Sequence, residues 1–546
     1  MSMPVISAQD LTVESVVDEN VTKYSPMIQF YRDKTIFVTG GTGFLGMLFI
    51  EKLLRCGVKS IYVLVRPKKN KSPAQRIQET FAGEIFVKLK ELDPDYMMRI
   101  KLIEGDTYRA DLGISDDDRK EIIANVEIVI HAAADVRFDK SLQELCLTNV
   151  RGTKSITLLA EQMQNLIVFA YISTAFSQFY RDKIEEKFYP PPCDPDEMIR
   201  IVEHFDQHQT EELNFLTDKL LRPWENTYVF TKALSEELVR RVAHKFPTIV
   251  VRPSIIIATY EDPLPAWTNN VYGLNGFCFG IGLGCIRVAA GSDSKNVEVV
   301  CADFVTNGTL AAMWNKANEQ NNTATNNGTV SAGGAENVNK FDESSLIVHL
   351  TAQDAITCGQ FQAKMIAGFH DVPSALCLSR PSITFAETGL MFFLLTIMYH
   401  VVPAIMLDTF FRVTNNKNRL LPVYRKYQDF LNRTAYFSKH VWRYGHQNMK
   451  QIIENMSEED QRFFPCDIFK FKTIDYIHSY YLGLRQYLAK ESLDNLPYAK
   501  RRYRIIMLTS FVTSTFYYSF LGCLLYMFMH VTGVAYYIKE CMWTFI

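Results

Sequence analysis

KTIFVTGGTGFLG, residues 34–46, is the stretch on which the fold turns. A run of β-branched and aromatic residues meets a glycine cluster, and an apolar segment with helical periodicity, residues 47–55, follows at once. The order is strand, tight turn, helix. Gly41, Gly43 and Gly46 stand there in G-x-G-x-x-G spacing. Small residues are required because the backbone must approach a pyrophosphate closely while the next helix points its positive end at it. The turn predicts a dinucleotide site made of Gly40, Gly41, Thr42, Gly43, Phe44, Leu45 and Gly46. A purely structural glycine turn is the competing reading, and the strand before and helix after weigh against it.

Outward from this turn, further runs recur at βα spacing, at residues 60–65, 99–104, 126–131, 166–173 and 248–252, with amphipathic stretches between several of them. This alternation predicts an α/β fold, a doubly wound parallel sheet of the extended Rossmann type. IYVLVR, residues 61–66, ends in Arg66, about where an NAD-preferring site carries an acidic residue for the ribose 2′-hydroxyl. A guanidinium there, with Lys68 and Lys69 close behind, suits a 2′-phosphate and predicts NADPH, against the plainer reading of a solvated basic turn. Asp106, in EGDTYRADL, follows another strand, where its carboxylate can accept a hydrogen bond from an adenine amino group.

The chain of 546 residues is too long for one ordinary domain, and 48% hydrophobic with 22% charged residues is the balance of a folded protein. A formal charge of -2 and a pI near 6.6 supply no basic field for nucleic acid. Eleven scattered cysteines, odd in number and without a C-x-x-C pair, suit reduced thiols in the cytosol. Residues 1–30 form an N-terminal extension that carries Asp10, Glu14, Asp18 and Glu19 and lacks the apolar core of a secretory signal.

Residues 31–380 read as the NADP-binding and catalytic domain. Within it, residues 319–340, rich in Asn, Thr, Gly and Ala, predict a flexible surface insertion, whose sequons at Asn321 and Asn327 matter only on a lumenal face. After about Pro381 glycines thin out and aromatic and basic residues increase, so residues 381–504 predict a helical C-terminal domain. GLMFFLLTIMYHVVPAIML, residues 389–407, is uncharged but holds His400 and Pro403; spanning, lying in the interface and packing beneath the catalytic domain all fit it. Residues 505–532 hold no Asp, Glu, Lys or Arg over twenty-eight positions, when ~20 apolar residues cross a ~30 Å hydrocarbon core, and predict a transmembrane helix. Lys500, Arg501, Arg502 and Arg504 precede it, which puts the N-terminal bulk in the cytosol and leaves residues 533–546 as a short tail beyond a single pass.

Tyr228 and Lys232, in NTYVFTKALSEELV (residues 226–239), are four apart in a helical stretch and share one face. A phenol titrates near 10 when unperturbed, and a neighbouring ammonium lowers that value, so Tyr228 is expected to be acidified and to exchange a proton with a substrate oxygen during hydride transfer. Y-x-x-x-K alone is a chance pattern; its place after a nucleotide turn and a buried strand gives it weight. That strand, VFAYIST, ends in Ser173 and Thr174, at the edge where ligands sit in an open α/β sheet. Thr174 is the expected oxyanion partner, with Ser173 the alternate, against an ordinary strand-end hydroxyl. Asn149, in LTNVRGTKSI, suits helix bending or a water relay to Lys232, and equally a local hydrogen bond inside a helix. His204 and His208, at i and i+4, lack an H-E-x-x-H pattern or a cysteine pair, and no metal is assigned.

Four motifs together resemble the male-sterility-type domain of alcohol-forming fatty acyl-CoA reductases: TGGTGFLG (39–46), HAAADVRFD (131–139), YISTAF (171–176) and NTYVFTKAL (226–234). DPLPAWTNNVYG (262–273) is similar to that family's later segment, and YHVVPAIMLDTFFR (399–412) and YYLGLRQYLAKE (480–491) resemble its helical domain. Departures are Glu225 where the family has Pro, VVCADFVTN (299–307) without the usual Pro, and the 319–340 insertion. The resemblance implies reduction of long-chain acyl-CoA to a primary alcohol through an aldehyde, with NADPH as cofactor. Tyr228 is then the proton donor, Lys232 its modulator and ribose anchor, and Thr174 the oxyanion partner. The implied partners are acyl-CoA and a lipid bilayer, with no nucleic acid and with room for a homo-oligomer; the implied location is an endoplasmic reticulum or peroxisomal membrane, with the catalytic domain in the cytosol. The competing readings are a membrane-bound sterol or steroid dehydrogenase of the same class and a catalytically silent NADP-binding protein.

Overall fold

The structure, a computed structural model, describes residues 24–68, 71–205, 210–327, 347–354, 356–414, 420–434 and 436–531. The N-terminal acidic residues, Lys69, His208 and the C-terminal tail named above lie outside the described residues.

Seven strands form one parallel sheet. They are β1 (Thr35–Thr39), β2 (Ser60–Val65), β3 (Ile100–Glu104), β4 (Ile128–His131), β5 (Val168–Ile172), β6 (Thr248–Pro253) and β7 (Ile347–Leu350). Their spatial order is β7-β6-β5-β4-β1-β2-β3. The five runs predicted outside the glycine turn lie on strands β2 to β6, within one or two residues at their ends. The seventh strand was not predicted. It is four residues long and follows β6 only after about ninety residues, outside the βα spacing by which the other runs are read.

All residues of β1, β2, β4, β5 and β6 are buried, as expected of parallel strands covered on both faces. Side chains alternate between two cores. Ile36 and Val38 of β1 join one apolar cluster, while Phe37 joins another with Val129 and Phe169. The helices over these faces include α1 (Phe44–Arg55), α2 (Pro73–Phe81), α3 (Asp116–Asn125), α4 (Gly152–Ala160) and α5 (Thr227–Val242). β1 is flanked by β2 on one side and β4 on the other, so the strand order reverses at β1 and opens a crevice at the carboxyl edge. The glycine turn and His131 both emerge there, since Thr39 is in register with His131.

Further along are α6 (Gly273–Gly282) and α7 (Ala302–Asn327). The predicted insertion is corrected in its first part, because α7 runs through residue 327. Val305, Leu310, Met313 and Ala317 bury its earlier turns, and a helix nucleated by packing propagates into a polar stretch one hydrogen bond at a time. Residues 328–340 of the predicted insertion lie outside the described residues.

The region after residue 381 contains α8 (Gly389–Thr396), α9 (Val402–Val413), α10 (Leu421–Thr434) and α11 (Leu496–Val531). It also contributes strands to the earlier part: Thr384–Ala386 pairs with Val288–Ala290, and Arg443–Tyr444 with Lys183–Ile184. A π-turn, Ile397–Val401, joins α8 to α9. Pro403 has no N–H to give the carbonyl one turn back, and the wider turn accommodates that loss. Gly389–Thr409 and Leu493–His530 are each long and apolar enough to cross a membrane.

Candidate functional site

The cofactor turn depends on two glycines. Gly40 has a φ of 76°, and a Cβ there would lie 2.8 Å from Ala133 N; a Cβ on Gly46 would lie 2.1 Å from Gly40 O. The first residues of α1 are thereby pressed against the turn. No side chain caps α1 at Gly43, and its first turn has no acidic residue, so the free N–H groups present a positive end to an anion. This is the cradle that a pyrophosphate fits.

Beside it is a basic cluster that only part of the sequence argument reached. Arg66 lies just beyond β2 with an exposed side chain. Arg76 of α2 folds back onto it: one Nη donates to Arg66 O at 2.5 Å and the other to Thr42 Oγ1 at 2.9 Å. Arg76 and Arg66, together with burial, depress the Lys68 ammonium, and burial with Arg66 depresses Arg76 in turn. Like charges that destabilise one another beside a phosphate cradle are matched to an anion. Arg76 was missed because the nine residues between it and Arg66 carry no periodic signal; only the capping box at Ser72, which starts α2, foreshadows the reach. Asp106 Oδ1 accepts from Tyr108 N at 3.0 Å and holds its own turn, within electrostatic range of Arg76.

The other side of the crevice is built by β4, β5 and α5. Asn226 caps α5, its side chain accepting from Val229 N at 3.0 Å, which sets Tyr228 in the first turn and Lys232 one turn later. Phe138 meets the Tyr228 ring at 5.8 Å. Lys232 is buried, its Nζ donating to Ile172 O at 2.6 Å and lying 4.7 Å from the centre of the Tyr171 ring. The expected acidified phenol is corrected here. Burial pushes the Tyr228 hydroxyl up, with no opposing charge, while burial draws Lys232 down to about 7 against the pull of Glu236. A low dielectric disfavours both charged forms.

Ser173 and Thr174 have different fates. Ser173 Oγ donates to Glu236 Oε1 at 2.5 Å, and the same carboxylate takes Ser177 Oγ at 3.0 Å and the Arg252 guanidinium at 3.0 and 2.7 Å. Among the described residues Thr174 Oγ1 accepts a single 3.3 Å contact, from Phe176 N, and its O–H has no acceptor there. Glu236 was not singled out in the sequence, though it stands one turn beyond Lys232.

Asn149 sits in a π-turn, Cys146–Arg151, ahead of α4. Its amide bridges two elements: Oδ1 accepts from Asp135 N at 2.8 Å, and Nδ2 donates to Asp135 O at 3.1 Å and to Thr231 Oγ1 at 3.1 Å. It ties the loop after β4 to α5. Nearby, His131 is held between Thr39 Oγ1 at 2.6 Å and Thr153 Oγ1 at 3.0 Å, and burial, reinforced by Lys232, lowers it to about 3, so it is neutral. His204, exposed, ends a helix whose other face is buried, beside Phe205.

Two family models, both described as male sterility protein, match residues 38–309 and 399–491. The fatty acyl-CoA reductase wat of Drosophila melanogaster is 33% identical over 93% of this chain and 94% of its own length. Fatty acyl-CoA reductase 2 of Mus musculus is 33% identical over 88% of this chain and 89% of its own, and fatty acyl-CoA reductase 1 of Homo sapiens 31% over 87% and 88%. Among solved structures, the reductase domain of a non-ribosomal peptide synthetase from Mycobacterium tuberculosis aligns with a TM-score of 0.51 at 16% identity, over 87% of this chain and 97% of that one. The terminal R domain of the myxalamid PKS-NRPS pathway aligns with a TM-score of 0.51 at 15% identity, over 83% and 90%; at such identities the likeness is one of fold.

A glycine turn at the reversal point of a parallel sheet, in a chain with these relatives, defines an oxidoreductase that uses a nicotinamide cofactor. More narrowly, the chain belongs to the fatty acyl-CoA reductase family.

Proposed function

We propose that this protein reduces long-chain fatty acyl-CoA to the primary alcohol with NADPH, in two successive rounds at one centre. The observation that carries the reading is that Tyr228 and Lys232 stand on successive turns of α5, and that Lys232 Nζ is bonded to Ile172 O at 2.6 Å, two residues before Thr174. The cluster of Arg66, Lys68 and Arg76 beside Thr42 supports NADPH over NADH, since planar guanidinium groups match a 2′-phosphate.

With its pyrophosphate at the glycine turn, a bound NADPH would supply one hydride per round. In the first round Thr174 donates a hydrogen bond to the thioester oxygen as charge develops on it, and Tyr228 gives that oxygen its proton. A phenol whose charged form is disfavoured by burial stays protonated at neutral pH, which is the state a donor needs. Lys232, protonated below about 7, stabilises the phenolate left behind. The C–S bond of the hemithioacetal then breaks, CoA leaves as the thiol with the hydroxyl proton, and an aldehyde remains. Before the second round the Tyr228 phenolate regains a proton from solvent and fresh cofactor is bound; a hydride then reaches the aldehyde carbon and a proton from Tyr228 its oxygen. Asn149 keeps the loop after β4 and α5 in fixed relation throughout.

The site is placed at an intracellular membrane, of the endoplasmic reticulum or the peroxisome, with α11 as the anchor. Lys500, Arg501, Arg502 and Arg504 at its start favour a cytosolic catalytic domain. A sixteen-carbon chain gains on the order of 12 kcal/mol by leaving water, so substrate and product belong near a bilayer.

The test is to give membranes containing the protein NADPH and a series of acyl-CoAs and to identify the lipid formed. Primary alcohol is expected. Aldehyde as the sole product would reduce the reading to a single round, and no turnover of any acyl-CoA would overturn it.

A further inference from the structure

The apolar helix ahead of α11 has two faces that differ in character. Phe392, Thr396, His400, Ala404 and Asp408, spaced by four through α8, the π-turn and α9, are all buried. This inner stripe is fastened to the body of the protein. His400 Nε2 accepts from Arg287 N at 3.1 Å and its ring stacks on Tyr424 at 4.9 Å, while Asp408 accepts from Leu420 N at 2.7 Å and Leu421 N at 3.1 Å. The polar groups of this segment, Thr396, His400 and Asp408, are thus turned inward. Outward stand Leu390, Phe393, Leu394, Ile405, Met406 and Leu407, with Leu390 71% exposed.

α11 lies against the same element. Tyr517 donates to Met398 O, and Tyr518 to the Tyr399 hydroxyl at 2.9 Å. Its first half is two-faced as well: Tyr503 is buried and Ile506, Ser510, Ser514 and Tyr517 are half-buried, whereas Leu508, Phe511 and Phe516 are more than two-thirds exposed. Tyr517 is thirteen residues past Arg504, the last charged residue before the apolar stretch, or about 20 Å along a helix. A segment that enters the hydrocarbon after Arg504 therefore brings the π-turn to the same depth.

We propose that α8 and α9 lie in the bilayer beside α11, so that the two elements form one lipid-facing surface with the catalytic body seated on the membrane rather than tethered above it. The inference rests on the reading of α11 as a membrane segment. Lipid is the occupant because residues 389–407 carry no charge, and because their exposed face continues that of a helix uncharged from 505 to 531. The arrangement also gives the acyl chain an apolar approach. Phe392 shares a cluster with Ile281 of α6, and α6 begins after Tyr272, within electrostatic reach of Arg137, whose chain neighbour Phe138 meets the Tyr228 ring.

The test uses the full-length protein in phosphatidylcholine vesicles whose acyl chains carry a diazirine near the terminal methyl, with adducts mapped by peptide mass spectrometry after irradiation. Adducts are expected on both 389–407 and 505–520. Adducts on α11 alone would overturn the inference and leave the anchor standing; adducts on neither would remove both. Chemical cross-links joining 389–407 of two copies, with no lipid adduct there, would overturn it in favour of a dimer contact.

Discussion

Ser173 Oγ donates to Glu236 Oε1 at 2.5 Å, a bond from the end of β5 to the helix that carries Tyr228 and Lys232. Because that carboxylate also holds the buried Arg252, the Ser173 hydroxyl is spent on the scaffold, and the proposed reaction assigns Thr174 to the substrate. Ser173→Ala is expected to lower unfolding stability by about 1.5–3 kcal/mol, as for a hydrogen bond to a charged group, with kcat within a few-fold of the parent. Thr174→Ala should do the reverse, losing on the order of a hundredfold in kcat with little change in stability. Urea denaturation set beside steady-state kinetics separates the two; equal loss of kcat in both variants would contradict the assignment.

Tyr228→Phe removes the proton donor and leaves the glycine turn untouched. Dinucleotide binding, followed by nicotinamide fluorescence, should persist, while alcohol formation falls by roughly 10²- to 10⁴-fold. Alcohol at the parent rate would remove Tyr228 from the reaction.

Lys232, drawn down to about 7 by burial, carries its charge below that pH and loses it above. If the ammonium stabilises the phenolate, kcat/KM for NADPH, which reports the free enzyme, should fall as pH rises through the region of 7. Lys232→Arg, charged at every accessible pH, should work at a lower plateau but without that alkaline limb. A parent profile flat from pH 6 to 9 would argue against the role.

Arg76 is the residue through which cofactor choice can be tested. Arg76→Ala should raise KM for NADPH on the order of tenfold to a hundredfold and leave that for NADH nearly unchanged. Equal effects on both dinucleotides would mean that the guanidinium serves the Thr42 turn and not a phosphate.

The strand, glycine turn and helix at residues 34–55 were legible in the sequence because each is dictated within a few residues: burial on both faces makes a strand apolar throughout, and the close approach at Gly40 and Gly46 admits no side chain. The same holds for the one-turn spacing of Tyr228 and Lys232. What only the tertiary structure decided depends on residues far apart in the chain. Glu236 takes Ser173 from 63 positions away, Arg76 reaches Thr42 across 34, and His400 finds Arg287 across 113. The direction in which the Tyr228 phenol moves is likewise a property of the dielectric around it, not of its neighbour at i+4, because packing sets how much water each charge retains and sequence spacing does not.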